Sequence, residues 1–224
     1  MIALLVMTDG RGHLLERTLA AFDRHVTGPV SERWIHDDSG DPEYRAWLER
    51  HAPDYRIVST PGRSGFGGAV RSAWSMLRLG SSARFVFHLE DDFVFRRDVD
   101  LAHVAATLDA WPHLVQLAFR RQPWNDHERA AGGIVEQHPD AYRELVDEHL
   151  EAVWLEHRLF FTTNPSLYRR ELVHEREWPT GSQSEGRFSH ELLGDAELRF
   201  AYWGSRASGE WVEHIGTERV GTGY

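Results

Sequence analysis

The chain opens on an apolar run, Ile2 to Met7, which the polar Thr8-Asp9-Gly10 ends. Six apolar residues without alternation read as a strand buried on both faces. Leu15, Leu19 and Phe22 then recur at i, i+4 and i+7, the spacing of one helix face. Arg33 to His36 is a second short strand, and it runs into Asp37-Asp38-Ser39-Gly40-Asp41. Asp41 before Pro42 marks a helix start, with Tyr44, Trp47 and Leu48 on one side. Arg56 to Val58 is a third strand. The Gly-rich turn from Gly62 to Gly68 opens a helix with Val70, Trp74 and Leu77 in phase. Phe85 to Leu89 is a fourth strand, running straight into Glu90-Asp91-Asp92. This strand–helix alternation predicts an α/β fold, a single Rossmann-like domain with a mainly parallel central sheet and helices on both faces.

The second half is less regular. Its pattern predicts a helix over Leu101 to Trp111, a strand over Leu114 to Phe119 and an amphipathic helix over Asp140 to Leu155. Phe160 to Thr163 reads as a strand, Gln183 to Leu193 as a helix, Leu198 to Trp203 as a strand and Trp211 to Ile215 as a short closing strand. Arg120 to Gly133, Thr180 to Gly186 and the tail from Thr217 read as loops, and loops of such length in a compact domain are often functional.

Composition narrows the chemistry. The 224 residues suit one domain with a core of its own. All 25 basic residues are Arg, which a GC-rich genome explains and which excludes Lys-dependent phosphate loops and Schiff bases. There is no Cys, hence no disulfide and no thiolate metal site. The net charge of −10 argues against non-specific binding to nucleic acid. No apolar run is long enough to span a bilayer, and the N-terminal run lacks the basic flank and cleavage site of a signal peptide. The expectation is a soluble, cytoplasmic protein.

Ligands of a parallel α/β sheet bind outside the carboxyl ends of its strands. Three acidic groups stand there: Thr8-Asp9, Asp37-Asp38 and Glu90-Asp91-Asp92. Carboxylates cannot hold a phosphate directly, but they hold a divalent cation that can, and they accept hydrogen bonds from a base or ribose. Together they predict a nucleotide–metal site.

These residues resemble the GT-A glycosyltransferases, especially the family 2-like members that use nucleotide-sugar donors. The resemblance is strongest over residues 1–95 and 178–217. It rests on the first strand ending in Thr8, the run Asp37-Asp38-Ser39-Gly40-Asp41, the Gly-rich turn with Arg71, and Glu90-Asp91-Asp92 in the place of the family's Asp-x-Asp motif. Val212-Glu213-His214-Ile215-Gly216 resembles the family's terminal His-x-Gly. The resemblance implies that Asp92 and His214 hold Mn²⁺ or Mg²⁺ and that Asp38 reads the nucleobase. It places Thr8, Asp9, Arg71, Glu90 and Asp91 around the nucleotide, within a nucleotide-sugar and metal half (1–95), with an acceptor half (96–224) following. It puts the catalytic base on Glu185, with Glu191 and Asp195 as rivals, and makes the donor a UDP-sugar. Arg120, Arg121 and Trp124 could bind the acceptor, while Trp178 and Trp203 are further cleft candidates. The acceptor is a glycan or a small molecule, with modified DNA bases less favoured because of the acidic charge. The Gln-x-x-Arg-Trp motif of processive membrane synthases is absent. In-line attack predicts inversion at the anomeric carbon. Two other functions stand beside this one: a sugar nucleotidyltransferase, faintly suggested by Thr8-Asp9-Gly10-Arg11-Gly12 but lacking the expected Lys, and a non-catalytic nucleotide-sugar or carbohydrate-binding domain.

Overall fold

The computed structural model describes residues 1–216; the tail from Thr217, expected to be a loop, lies outside the described residues. The first half runs β1 (Ile2–Thr8), α1 (Gly12–His25), β2 (Val26–Thr27), β3 (Val30–Asp37), α2 (Pro42–His51), β4 (Arg56–Ser59), α3 (Gly65–Gly80) and β5 (Phe85–Glu90). Short strands β6 (Phe93–Phe95) and β7 (Val99–Asp100) lead into α4 (Leu101–Ala110) and β8 (Leu114–Ala118). Beyond them come α5 (Asp126–Ala131), α6 (Ile134–Gln137), β9 (Arg143–Asp147), β10 (Ala152–His157), β11 (Ser166–Arg169) and α7 (Arg170–Glu175). The last elements are α8 (Ser184–Leu193), β12 (Arg199–Trp203) and β13 (Val212–His214).

A nine-stranded sheet runs in the order β4-β3-β1-β5-β11-β8-β12-β10-β9. The expected parallel sheet is found in β4-β3-β1-β5 and again in β8-β12, while β11, β10 and β9 pair antiparallel to their neighbours. Strand β1 explains the layering. Side chains alternate along a strand, so Ile2, Leu4 and Val6 enter one core with Leu15, Phe22 and Leu48 from the α1–α2 side. Ala3, Leu5 and Met7 enter the other, against Val70, Trp74 and Leu77 of α3 and Phe188 and Leu192 of α8. Every residue of β1 is buried, as its unbroken apolar run requires.

Two expectations fail, both because side-chain partners outweigh local pattern. Asp140 to Leu155 is not a helix. A single 3-10 turn (Pro139–Ala141) precedes the β9–β10 hairpin. Its turn is fixed by Asp147, whose Oδ1 accepts from the His149 and Leu150 amides at 3.0 Å and whose Oδ2 accepts from Trp111 Nε1 at 3.0 Å. Phe160 to Thr163 is not a strand. Its backbone groups bond side chains instead: the Phe161 amide to Ser189 Oγ (3.0 Å), the Thr162 amide to Gln116 Oε1 (3.1 Å) and the Thr163 amide to Glu185 Oε1 (2.6 Å). The true strand, β11, follows it. The loops expected over Arg120 to Gly133 and Thr180 to Gly186 contain α5 and the start of α8 respectively. No helix among the described residues is long and apolar enough to cross a membrane.

Candidate active site

The carboxyl ends of β1 and β5 lie side by side, so Thr8 and the acidic turn after Glu90 meet. Asp91 is fully buried. Its Oδ2 accepts from the Thr8 hydroxyl at 2.7 Å, its Oδ1 pairs with the Arg11 guanidinium, and the Thr18 hydroxyl donates to its carbonyl at 2.8 Å. Burial pushes the Asp91 carboxyl up to about 7 against the opposing pull of Arg11. Thr8 Oγ1 also lies 2.7 Å from the Tyr44 hydroxyl. Thr8 is thus bonded to Asp91 in the interior, and Asp91 in turn holds Arg11.

Asp92 is buried as well. Its Oδ2 lies 2.6 Å from Arg11 Nη1 and 3.1 Å from His214 Nε2. Burial acts to raise this carboxyl, but the His214 hydrogen bond and the charges of His214 and Arg11 hold it below the ordinary range. His214 arrives from the other end of the chain because β13 pairs antiparallel with β6, setting His214 opposite Phe93, and because the Ile215 amide donates to the Asp92 carbonyl at 2.8 Å. Gly216 packs against the same carboxylate so closely that a Cβ there would lie 2.9 Å from Asp92 Cγ, so the His-x-Gly spelling has a steric reason.

Beside this cluster opens a cavity of about 530 Å³, lined among others by Glu90, Phe93, Arg121, Trp124, Thr163, Glu185 and His214. Glu185 sits in the first turn of α8, and both its donors from Thr163, the amide at 2.6 Å and the hydroxyl at 3.0 Å, fall on Oε1. Burial raises its carboxyl, and the Thr163 bonds only partly offset that. Glu90 is raised well above its usual range by burial and then by the charge of Asp92, with Glu185 adding to the repulsion. Gly67 of α3 belongs to this neighbourhood as a packing residue: a Cβ on it would lie 2.9 Å from both the Pro179 carbonyl oxygen and Ser184 Cβ, so the Gly-rich turn lets α3 approach α8.

Of the adjacent pair Arg120-Arg121, the structure brings the second to the cavity. Arg120 is 4% exposed and turned inward, where Nη2 donates to the Ser205 carbonyl at 2.6 Å. Arg121 forms a fork on Glu128 (2.6 and 3.1 Å), and Glu128 also accepts from the Trp124 amide at 2.8 Å. Gln122 bonds both the amide (2.9 Å) and the carbonyl (2.8 Å) of His214, and the Trp124 ring stands 4.1 Å from the His214 ring. The loop is thus stapled to β13. Arg121, committed to Glu128, holds the wall in place.

Other expected site residues go elsewhere. The Asp38 carboxylate accepts from the Ser64 amide and hydroxyl, the Gly65 amide and the Thr60 hydroxyl, which fills its acceptor positions and anchors the start of α3. It caps that helix rather than presenting itself to a base. Arg71 pairs with Glu177 and is not among the residues that line the cavity. Asp9 is held by Arg11 (3.0 Å) and Arg63, and burial raises its carboxyl. Glu191 faces Arg176 at 3.7 Å and Asp195 caps the Glu197 amide at 3.0 Å, so of the three candidate bases Glu185 alone lines the cavity. Trp178 and Trp203 are core residues. Pattern missed Arg11, Thr163, Gln122 and Glu128. For Arg11 the one local signal is its position between Gly10 and Gly12 in the loop after β1.

The donor set suits a divalent cation with two protein ligands. Asp92 Oδ1 is buried with no hydrogen-bond partner among the described residues, and His214 Nε2 faces the same carboxylate. Mg²⁺ and Mn²⁺ take one or two such ligands and complete their shells with phosphate and water oxygens. No group of three or more candidate ligands stands together among the described residues, so the substrate would have to supply the rest.

No protein-family model matches this sequence, and no curated protein matches it. Solved structures do. Over 99% of this chain and 59% of the other, it is similar to S. aureus TarS 1–349 in complex with UDP-GlcNAc, with a TM-score of 0.61 at 15% identity. The same protein in complex with UDP matches at 0.60, 15% identity, 95% of this chain and 59% of that one. GalNAc-T7 with UDP, GalNAc and Mn²⁺ matches at 0.65, 10% identity, 96% of this chain and 43% of that one. The fold is therefore the GT-A fold, in a chain that spans under two thirds of the length of these relatives.

Proposed function

We propose that this chain is a glycosyltransferase that moves a sugar from a nucleotide-sugar, a UDP-sugar, to an acceptor hydroxyl with inversion. One observation carries the reading: a buried carboxylate, Glu185, and His214 line one cavity, and His214 is in turn bonded to Asp92, whose Oδ1 has no hydrogen-bond partner among the described residues. The UDP-bound relatives of the same fold support a nucleotide-sugar in that space.

In the proposed reaction the acceptor oxygen attacks the anomeric carbon from the face opposite the diphosphate. The carbon–oxygen bond to the diphosphate breaks, and its electron pair leaves with the diphosphate. Glu185 takes the hydroxyl proton on Oε2 while Thr163 holds Oε1. Asp92 and His214 would hold Mn²⁺ or Mg²⁺, which supplies charge neutralisation for the departing diphosphate. Trp124 is 37% exposed at the cavity edge and offers its face to a glycan or small-molecule acceptor.

The test is a thermal-shift panel of UDP, GDP, dTDP and CDP with Mn²⁺, Mg²⁺ or chelator on wild type, Asp92→Ala and Glu185→Gln. A ligand at ~100 times its Kd adds about 2.7 kcal/mol of apparent stability. The expected result is a cation-dependent shift with UDP that survives Glu185→Gln and is lost in Asp92→Ala. No shift with any nucleotide would overturn the reading.

A further inference from the structure

Arg11 already pairs with Asp92, the carboxylate proposed to hold the divalent cation. Each of its three guanidinium nitrogens goes to a different carboxylate: Nε to Asp9 at 3.0 Å, Nη1 to Asp92 Oδ2 at 2.6 Å and Nη2 to Asp91. Its side chain is 11% exposed, and a guanidinium keeps its charge in such company. Its backbone is fixed as well, because its carbonyl accepts the Leu14 and Leu15 amides in the first turn of α1, both at 3.0 Å. Only the side chain has freedom to move.

We infer that Arg11 is the resident cation of this acidic cluster and competes with the divalent cation for Asp92. The inference rests on the proposed metal site. Asp92 Oδ1 is free to take a cation, while Arg11 grips Oδ2, the oxygen that His214 also faces, so a cation that reaches both Asp92 and His214 comes up against Nη1. Two positive charges on one carboxylate repel each other in a poorly hydrated site. Arg11 keeps Asp9 and Asp91 after it yields Asp92, which makes the displacement partial and reversible. The exchange holds the cluster together without metal, and it makes metal binding weak until a diphosphate adds its own negative charge. The geometry thus assigns Arg11 a positioning role that couples metal entry to donor entry.

The experiment is Mn²⁺ binding by electron paramagnetic resonance, without and with UDP, on wild type, Arg11→Gln and Arg11→Lys, with melting temperatures in chelator alongside. Arg11→Gln is expected to bind Mn²⁺ alone at least tenfold more tightly than wild type, to gain less affinity from UDP, and to melt lower in chelator. Arg11→Lys keeps the charge but cannot reach three acids, so it falls between the two and serves if the Gln variant does not fold. Equal or weaker Mn²⁺ binding in both variants overturns the role of Arg11 and leaves the metal site standing. No Mn²⁺ bound by any of the three proteins, with or without UDP, overturns both.

Discussion

Thr163 gives both its amide and its hydroxyl to one oxygen of Glu185, although the two residues belong to segments with no backbone pairing between them. Two donors on one carboxylate oxygen fix the plane of the group and leave the second oxygen to react. Thr163 is itself pinned from below, since its neighbour Thr162 is bonded at amide and carbonyl to the amide side chain of Gln116 (3.1 and 2.6 Å). The base is thereby tied to β8 in the centre of the sheet.

Thr163→Val removes the hydroxyl and keeps the volume and the backbone amide. A hydrogen bond to a charged group is worth roughly 1.5–3 kcal/mol, so kcat is expected to fall by about tenfold or more while KM for the donor holds. Hydrogen bonds to the ionised form lower a carboxyl pKa, so their loss moves the acid limb of the rate profile to higher pH. Thr163→Ser should restore both. A kcat–pH profile identical to wild type in the Val variant would show that the hydroxyl does not orient the base.

Glu185 must be ionised to accept a proton, and burial raises its pKa. Activity should therefore climb with pH on a limb whose midpoint lies above the ordinary glutamate range. Glu185→Gln should abolish that limb and lower kcat by roughly 10²–10⁴, while donor binding measured by calorimetry stays within about twofold. Weakened donor binding with unchanged turnover would assign Glu185 to the substrate's grip instead.

The strands of the first half were legible because burial on both faces writes itself as an unbroken apolar run, as in Ile2 to Met7. The acidic turn after β5 was legible through its place at a strand end, whereas Glu185 was singled out only by the resemblance to GT-A enzymes. Which acid of Glu90-Asp91-Asp92 faces inward depends on the turn after β5, and so does the burial of Asp91 under Thr8 and Arg11. The β9–β10 hairpin was hidden because its polar residues mimic helical spacing, and the contact that decides it, Trp111 to Asp147, spans 36 positions. Arg11 was hidden for the same reason: its partners Asp91 and Asp92 lie 80 and 81 residues away. Local pattern reports burial and turns, not which distant side chain completes a charge cluster.

Asp38 supplies a test of structure against recognition. Its buried carboxylate caps α3 from outside the helix through Ser64 and Gly65 and also ties down Thr60. Asp38→Ala removes the acceptor shared by these part-exposed donors and should cost about 1–2 kcal/mol in urea unfolding. Asp38→Asn keeps one acceptor oxygen and should recover part of the loss. Wild-type stability in the Ala variant, with UDP binding lost, would return Asp38 to the nucleobase.

His157 is buried among Tyr142, Phe160, Phe200 and Tyr202, and burial lowers its pKa to about 3; His88, buried in β5, is lowered to about 4. In both, the unfolded chain binds the proton first. Their neutral forms support the fold fully above the ordinary histidine value of about 6.5, and that support is lost as pH falls towards the folded values. Glu90, Asp91 and Glu185 are raised in the fold and act with the opposite sign, so the total slope mixes the two. A difference between variants separates them. His157→Phe keeps an aromatic ring beside Tyr142 and Tyr202 but cannot be protonated. Between pH 7 and pH 5 wild type should lose about 2 kcal/mol relative to this variant, measured by urea titration at each pH. A stability difference that stays constant across that range would mean that His157 is not held neutral by the core.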